Sequence, residues 1–199
     1  MDRKEDVFNE IYSVYKDRLS NLDGSHSPLL VCFVGVPGSG ITTISKRLEE
    51  ELKGVRINSD DVQNILQVYR GKEFYKGFIL EKREFIYWLV RKIIGEFKNK
   101  LVILDKGIDR SYDDVKNLAK ELDISFVVIS LETSKEELIN RLNNTYGEYA
   151  KNYINDLDRW IGEHKEFKES NRYDISIDTK ENNVDGVVEK IKNFLEKNS

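Results

Sequence analysis

The chain has 199 residues, with 36 acidic against 32 basic side chains, and charged residues make up 34% of it. That describes one domain with a sizeable core and a highly charged surface, and the mildly negative balance does not indicate a surface given over to nucleic acid. The single cysteine, Cys32, excludes an intramolecular disulfide, and no apolar run approaches the roughly 20 residues of a membrane span.

The N-terminus, Met1-Asp2-Arg3-Lys4-Glu5-Asp6, is too charged and acidic for a signal or transit peptide, so a cytoplasmic protein is expected. Val7, Ile11, Val14, Tyr15, Leu19 and Leu22 recur at helical spacing and predict an amphipathic helix over 4–22. With the polar linker that carries Gly24 and Pro28, it makes a segment, 1–28, ahead of the main domain, 29–199. Leu29 to Val34 reads as a buried strand, and Cys32 within it as an inert thiol. A glycine-rich turn follows, and then a helix whose stripe is Ile41, Ile44, Leu48 and Leu52, ending near Gly54. Val55 to Asn58 is a short second strand, with Ser59 or Asp60 expected to cap a helix through Asp61, Ile65 and Leu66.

A break is expected near Gly71, then a long helix with Phe78, Phe85, Leu89, Ile93 and Phe97 on one stripe. Leu101 to Asp105 is the third strand and ends in an acid. Ser111 with Asp114, and Ser134 with Glu137, have capping-box spacing and open the helices on either side of a fourth strand, Ile124 to Leu131. Residues 146–170 look helical and rich in aromatics, Tyr173 to Asp178 alternates like a strand, and Val184 to Leu195 closes the chain as a helix. Five strands separated by helices predict an α/β three-layer sandwich with a mostly parallel sheet. Right-handed crossovers bring the carboxyl ends of the strands to one edge, where ligands bind.

Gly35, Asp60 and Asp105 all fall at that edge. The run Gly35-Val36-Pro37-Gly38-Ser39-Gly40-Ile41-Thr42-Thr43 has the order of a phosphate-binding P-loop, strand, G-x-x-x-x-G-K-[ST], helix, except that Ile41 stands at the lysine position. Such a loop turns its N–H groups inward, and the helix start adds partial positive charge, so it holds polyphosphate without a side-chain cation. Thr42 is placed to offer a hydroxyl to Mg²⁺, with Asp105 orienting the metal's waters. Asp60 and Asp61, just past the second strand, suit a carboxylate that accepts the proton of an acceptor hydroxyl, and Asp60 also suits a plain helix cap. His26 and His164 lack metal-ligand spacing. Tyr146, Tyr149, Tyr153 and Trp160 read first as packing of a helical segment, and second as a stacking surface for bases.

The order GVPGSGIT, INSDDV, VILD, the helix containing Arg141, and YDISIDT resembles the small P-loop kinases of the P-loop NTPase fold. Within them it is most similar to the polynucleotide-kinase-like and zeta-toxin-like branch, from about Leu29 to the C-terminus. The resemblance implies a 2-3-1-4-5 strand order, ATP and Mg²⁺ as cofactors, Asp60 near the acceptor, Arg141 near the adenine or the lid, and a lid over 143–170. It also makes the departures informative. Ile41, Gln63 and the pair Asn143-Asn144 stand where relatives carry cations. Lys106, Arg110, Lys151, Arg159 and Arg172 are candidate replacements, Lys106 first because it adjoins Asp105.

Two main readings remain, with a third beside them. One is a kinase, a transferase that passes the ATP γ-phosphoryl to a hydroxyl of a small metabolite, nucleotide or nucleic-acid end. The other is a pseudo-kinase that binds a nucleotide or a protein partner without turnover. A third is that Ile41 is an engineered substitution in an active enzyme.

Overall fold

The computed structural model describes residues 3–20, 28–70, 78–97, 101–170 and 172–198. The expected linker with Gly24, the break near Gly71, His26 and Leu22 lie outside these residues.

The sheet is built from β1 (Leu29–Val34), β2 (Val55–Asn58), β3 (Leu101–Gly107), β4 (Ser125–Glu132) and β5 (Ile175–Asp178). Every pairing is parallel and the order is β2-β3-β1-β4-β5, as the kinase resemblance implies. Side-chain alternation on β1 explains the two covering layers. Leu30, Cys32 and Val34 enter one core, with α1 (Arg3–Ser20), α3 (Ser59–Arg70), α4 (Phe78–Glu96) and α5 (Tyr112–Glu121). Val31 and Phe33 enter the other, with α2 (Ile41–Leu52) and α9 (Val184–Lys197). Cys32 is fully buried, and burial pushes its thiol far up, so no thiolate forms near neutral pH.

A third, smaller core joins Val36 of the glycine turn to α6 (Lys135–Tyr146), α7 (Ala150–Ile154) and α8 (Leu157–Glu169) through Leu138, Leu142, Ala150 and Leu157. The aromatic segment read as one helix is broken here by a 3-10 turn at Gly147–Tyr149. Its rings mostly pack together: Tyr146 stacks on Tyr153 with centroids 4.3 Å apart, and Tyr153 lies against Trp160.

Local capping differs from expectation in three places. The oxygen that caps α3 is Asn58 Oδ1, which accepts from the N–H groups of Asp60 at 2.6 Å and Asp61 at 3.3 Å. Asn58 sits one residue earlier than the expected cap and leaves the Asp60 carboxylate unused by the helix. Ser111 occupies the N-cap of α5 without a side-chain cap bond, and the Asp114 carboxylate turns to Arg83 at 2.7 Å instead of back to the cap. Ser134 does accept from Glu137 N–H, but the Glu137 carboxylate turns to Arg141 instead of back to the cap. Gly54 ends α2 for a steric reason. The left-handed residue is Lys53, while a Cβ on Gly54 would meet Leu101 at 3.0 Å.

No helix among the described residues is long and apolar enough to cross a membrane. Helix α1 is part of the principal core, since Val7, Ile11, Tyr15 and Leu19 are buried with the sheet. Ile11→Ala is therefore expected to lower the unfolding free energy by about 2–5 kcal/mol in urea titrations. A change below about 0.5 kcal/mol would show α1 to be a detachable appendage.

Candidate functional site

The loop from Gly35 to Gly40 sits where β1 leaves the sheet. Gly38 and Gly40 have φ of 90° and 105°, left-handed values that side chains with a Cβ resist. At Gly35 the constraint is space, since a Cβ would stand 2.7 Å from Ser39 Oγ and 3.0 Å from the Leu131 carbonyl. The Ser39 hydroxyl is buried in this loop with no hydrogen-bond partner among the described residues. The loop opens into a cleft of about 850 Å³ walled by the ends of β1 and β3, the start of α3, and α6 and α8. Gly35 to Thr43, Asp60, Asp105, Lys106 and Arg141 all line it, whereas Asp61 does not.

Asp105 is 4% exposed and fully engaged. Its Oδ1 accepts from Thr42 Oγ1 at 3.0 Å, and its Oδ2 from Asn58 Nδ2 at 2.7 Å and Arg56 Nη1 at 2.5 Å. The β2–β3 register sets Asn58 opposite Asp105, and alternation on β2 puts Arg56 on the same face as Asn58. A hydroxyl that donates to a carboxylate keeps its lone pairs available, so the Thr42 oxygen is free to accept a cation. With this donor set, Mg²⁺ fits as an ion that arrives with phosphate oxygens and keeps its waters. No cluster of three or more acidic, histidine or cysteine side chains among the described residues would hold a metal alone.

Ile41 packs partly against the α2–α9 core. Its Cδ1 lies 3.8 Å from where a Cβ on Gly107 would stand, at the end of β3. The cations around it are committed elsewhere. Arg110 is held by Glu163 of α8. Arg141 donates to Glu137 Oε1, Thr179 Oγ1 and the Thr179, Gly38 and Ser39 carbonyls, which clamps α6 and the segment after β5 to the phosphate loop. A smaller pocket of about 350 Å³ lies beside this clamp, between Thr43, Arg141 and Asn183.

Lys106 leaves β3 on the face opposite Asp105. The pairing of β1 with β3 is irregular between Val31 and Phe33, which gives β3 two additional residues there. The groups that act on Lys106 are Lys82, Cys32, Arg83 and Asp114, which belong to α4, β1 and α5 and lie on the sheet face away from α2. Burial, with Lys82 adding to it, pulls Lys106 down to about 8. Lys151 is exposed, Arg159 pairs with Asp156 and Glu163, and Arg172 pairs with Asp113.

Sequence reasoning missed Arg56, Asp109 and His164. Asp109 Oδ2 accepts weakly from Gly35 N–H at 3.5 Å, and Asp109 Oδ1 is 3.0 Å from His164 Nδ1 on α8. His164 Nε2 is buried without a partner among the described residues. An Asp four residues past the end of VILD was a visible signal, but the partner on α8 was not.

A parallel five-stranded sheet in this order, with a glycine loop feeding α2 and an acid at the end of β3, defines a P-loop kinase-like protein. Residues 30–153 match the protein family described as an AAA domain (AAA_33), and the chain belongs to that family. It is 25% identical over 163 residues to a protein of Aeropyrum pernix described as a probable adenylyl-sulfate kinase, covering 79% of this chain and 86% of that one. The APS kinase of Mycobacterium tuberculosis, solved with AMPPNP and APS, superimposes with a TM-score of 0.58 at 13% identity, covering 86% of this chain and 99% of that one. Shikimate kinase from Bacteroides thetaiotaomicron also gives 0.58, at 16% identity over 85% of this chain and 99% of that one. These structures share the fold.

Arg56→Met leaves the buried Asp105 carboxylate without its cation and is expected to cost about 3 kcal/mol of stability. The double variant Arg56→Met/Asp105→Asn should recover a large part of that loss. Chemical denaturation of the two single variants and the double checks this; additive losses would mean that the pair is not coupled.

Proposed function

We propose that the protein is an ATP-dependent phosphotransferase that passes the γ-phosphoryl group to a hydroxyl of a small molecule. The observation that carries this reading is the Thr42–Asp105 hydrogen bond at the mouth of the glycine loop. It orders a hydroxyl ligand beside N–H groups suited to polyphosphate. The kinase unit is taken as 29–199, with 143–170 as the lid and 1–28 as an N-terminal extension.

In this reading the N–H groups from Gly35 to Thr43 hold the phosphates, and Ser39, buried and unpartnered, offers its hydroxyl beneath them. The pocket beside Arg141, Thr43 and Asn183 takes the base. Thr42 and Asp105 would hold Mg²⁺, which supplies charge neutralisation at the transferring phosphoryl group. Asp60, exposed at the start of α3 and free of cap duty, accepts the proton of the acceptor hydroxyl. The acceptor oxygen bonds to the γ-phosphorus as the bond to the β-phosphate oxygen breaks, and ADP leaves. Asp61, outside the cleft lining, keeps at most a supporting part. The relatives named as adenylyl-sulfate and shikimate kinases favour a metabolite acceptor. The sequence resemblance to the polynucleotide-kinase-like and zeta-toxin-like branch adds sugars and nucleotides to the set.

A second reading, binding without turnover, is favoured by a specific observation. Ile41 replaces the lysine, and both Arg110 and Arg141 are already occupied by protein groups. Titration of ATP and ADP with and without Mg²⁺ separates these readings. Saturable binding that Mg²⁺ strengthens for the wild type, and not for Thr42→Ala, is expected; no saturable binding would sink both nucleotide readings. Ile41→Lys should then raise ATP turnover by about 10²-fold, as restoring one transition-state donor does elsewhere. Unchanged turnover in that variant would place the defect in the acceptor or lid groups.

A further inference from the structure

One polar pair on the cleft wall takes no part in the proposed phosphotransfer. Asp109, on the connection between β3 and α5, and His164, on α8, both line the cleft, with side chains 19% and 13% exposed. Asp109 Oδ1 lies 3.0 Å from His164 Nδ1, and a carboxylate can only accept there, so Nδ1 carries the hydrogen. The contact is braced by its neighbours in sequence, since Arg110 donates to Glu163. His164 Nε2 is shut off from water and has no hydrogen-bond partner among the described residues. A polar atom in that state is a cost to the fold unless something binds it.

The pair also stands where the glycine loop lacks charge. The point at which a Cβ on Gly107 would stand is 3.0 Å from Asp109 Oδ2, 3.3 Å from the Gly35 carbonyl oxygen and 3.8 Å from Ile41 Cδ1. Asp109 Oδ2 also accepts weakly from the Gly35 N–H, at 3.5 Å. A carboxylate at the mouth of a phosphate cradle repels the phosphates unless a cation balances it. His164 is the one basic side chain within ion-pair distance of Asp109 among the described residues. The other charged groups about the imidazole already have partners: Glu132 of β4 pairs with Lys168, and Glu163 with Arg110 and Arg159. Residues 35–45, which form the loop and the start of α2, carry no charged side chain.

We propose that His164, held by Asp109, is a nucleotide-binding residue whose Nε2–H donates to a phosphate oxygen, bringing to the loop mouth the positive charge that Ile41 does not. The proposal rests on the reading of the cleft as a nucleotide site. With Nδ1 committed to Asp109, a neutral imidazole presents a lone pair at Nε2, which a phosphate oxygen would repel. Nucleotide binding therefore takes up a proton from solvent at Nε2. Asp109 then fixes the cation against the phosphates instead of repelling them, and Nε2 gains the partner it lacks.

The test is calorimetric titration of ADP into the full chain with Mg²⁺ present, at about pH 8 and in two buffers of different ionisation enthalpy. Wild-type binding is expected to take up protons. His164→Gln should bind ADP about tenfold more weakly and lose that uptake, the nucleotide's own protons being common to both titrations. In the Ile41→Lys background the His164→Gln loss should shrink severalfold, because the loop then carries its own cation. Equal affinity in wild type and His164→Gln would overturn the proposal, as would weaker binding with the proton uptake unchanged, or an equal loss in both backgrounds. Wild-type binding without proton uptake would also overturn it, and that result needs no variant to fold. No saturable ADP binding to the wild type would remove the nucleotide reading itself, and this proposal with it. Thermal unfolding without nucleotide should give His164→Gln the wild-type Tm, and ADP should raise the wild-type Tm more than the variant's.

Discussion

The Asp105 carboxylate ties the site to the fold. It is nearly excluded from water, and an ionised group in that position is tolerable only when its oxygens are filled by donors. Thr42, Asn58 and Arg56 fill them, and these three residues come from α2, the end of β2 and the interior of β2 respectively. One side chain thus fixes the start of the phosphate-loop helix, the register of the edge strand and the angle at which α3 departs. Asn58 extends the connection, because its Oδ1 caps α3 while its Nδ2 holds Asp105. Asp60 stands at the start of α3, so its position in the cleft descends from the same carboxylate. Arg56 also reaches Glu49 on α2, which keeps the cation from swinging toward solvent.

Much of the architecture was legible because its signals are local. Leu29 to Val34 is a bare apolar run, the glycine spacing needs no partner to be recognised, and the carboxyl ends of parallel strands must share an edge. What was illegible depends on pairs. Arg56 sits in Val-Arg-Ile-Asn, a pattern that reads as an edge strand with polar groups facing out, and only the register with β3 shows that the outward face is covered by α2. The cap of α3 was misplaced by one residue because Asn58, Ser59 and Asp60 are all good caps, and the choice between them is made by where β2 ends. Asp114 had capping-box spacing but lies within reach of Arg83 on α4, and a charged partner outcompetes a backbone N–H.

Lys106 shows how a sound adjacency can mislead. Beside Asp105 in sequence, it was the first candidate to stand in for the loop lysine. Successive residues of a strand point to opposite faces, so adjacency to the metal-side acid is an argument against sharing its face. The irregularity in β3 does not reverse this, because the charges around Lys106 belong to α4 and α5.

The positive charge missing from the glycine loop is not restored by the arginines beside it. Around the loop, Ile41 packs into the core, and Arg110 and Arg141 spend their donors on Glu163, Thr179 and loop carbonyls. Arg141 in particular stiffens the cradle from behind, a use of arginine that depends on its planar fork and that a lysine would not reproduce. Among the described residues, Lys82 and Lys106 on the α4 side are half-buried with no carboxylate within ion-pair distance, and Lys82 donates to the Gln63 amide. In the proposed reading, the transferring group is then left to Mg²⁺ held by Thr42 and Asp105 and to the backbone N–H groups of the loop.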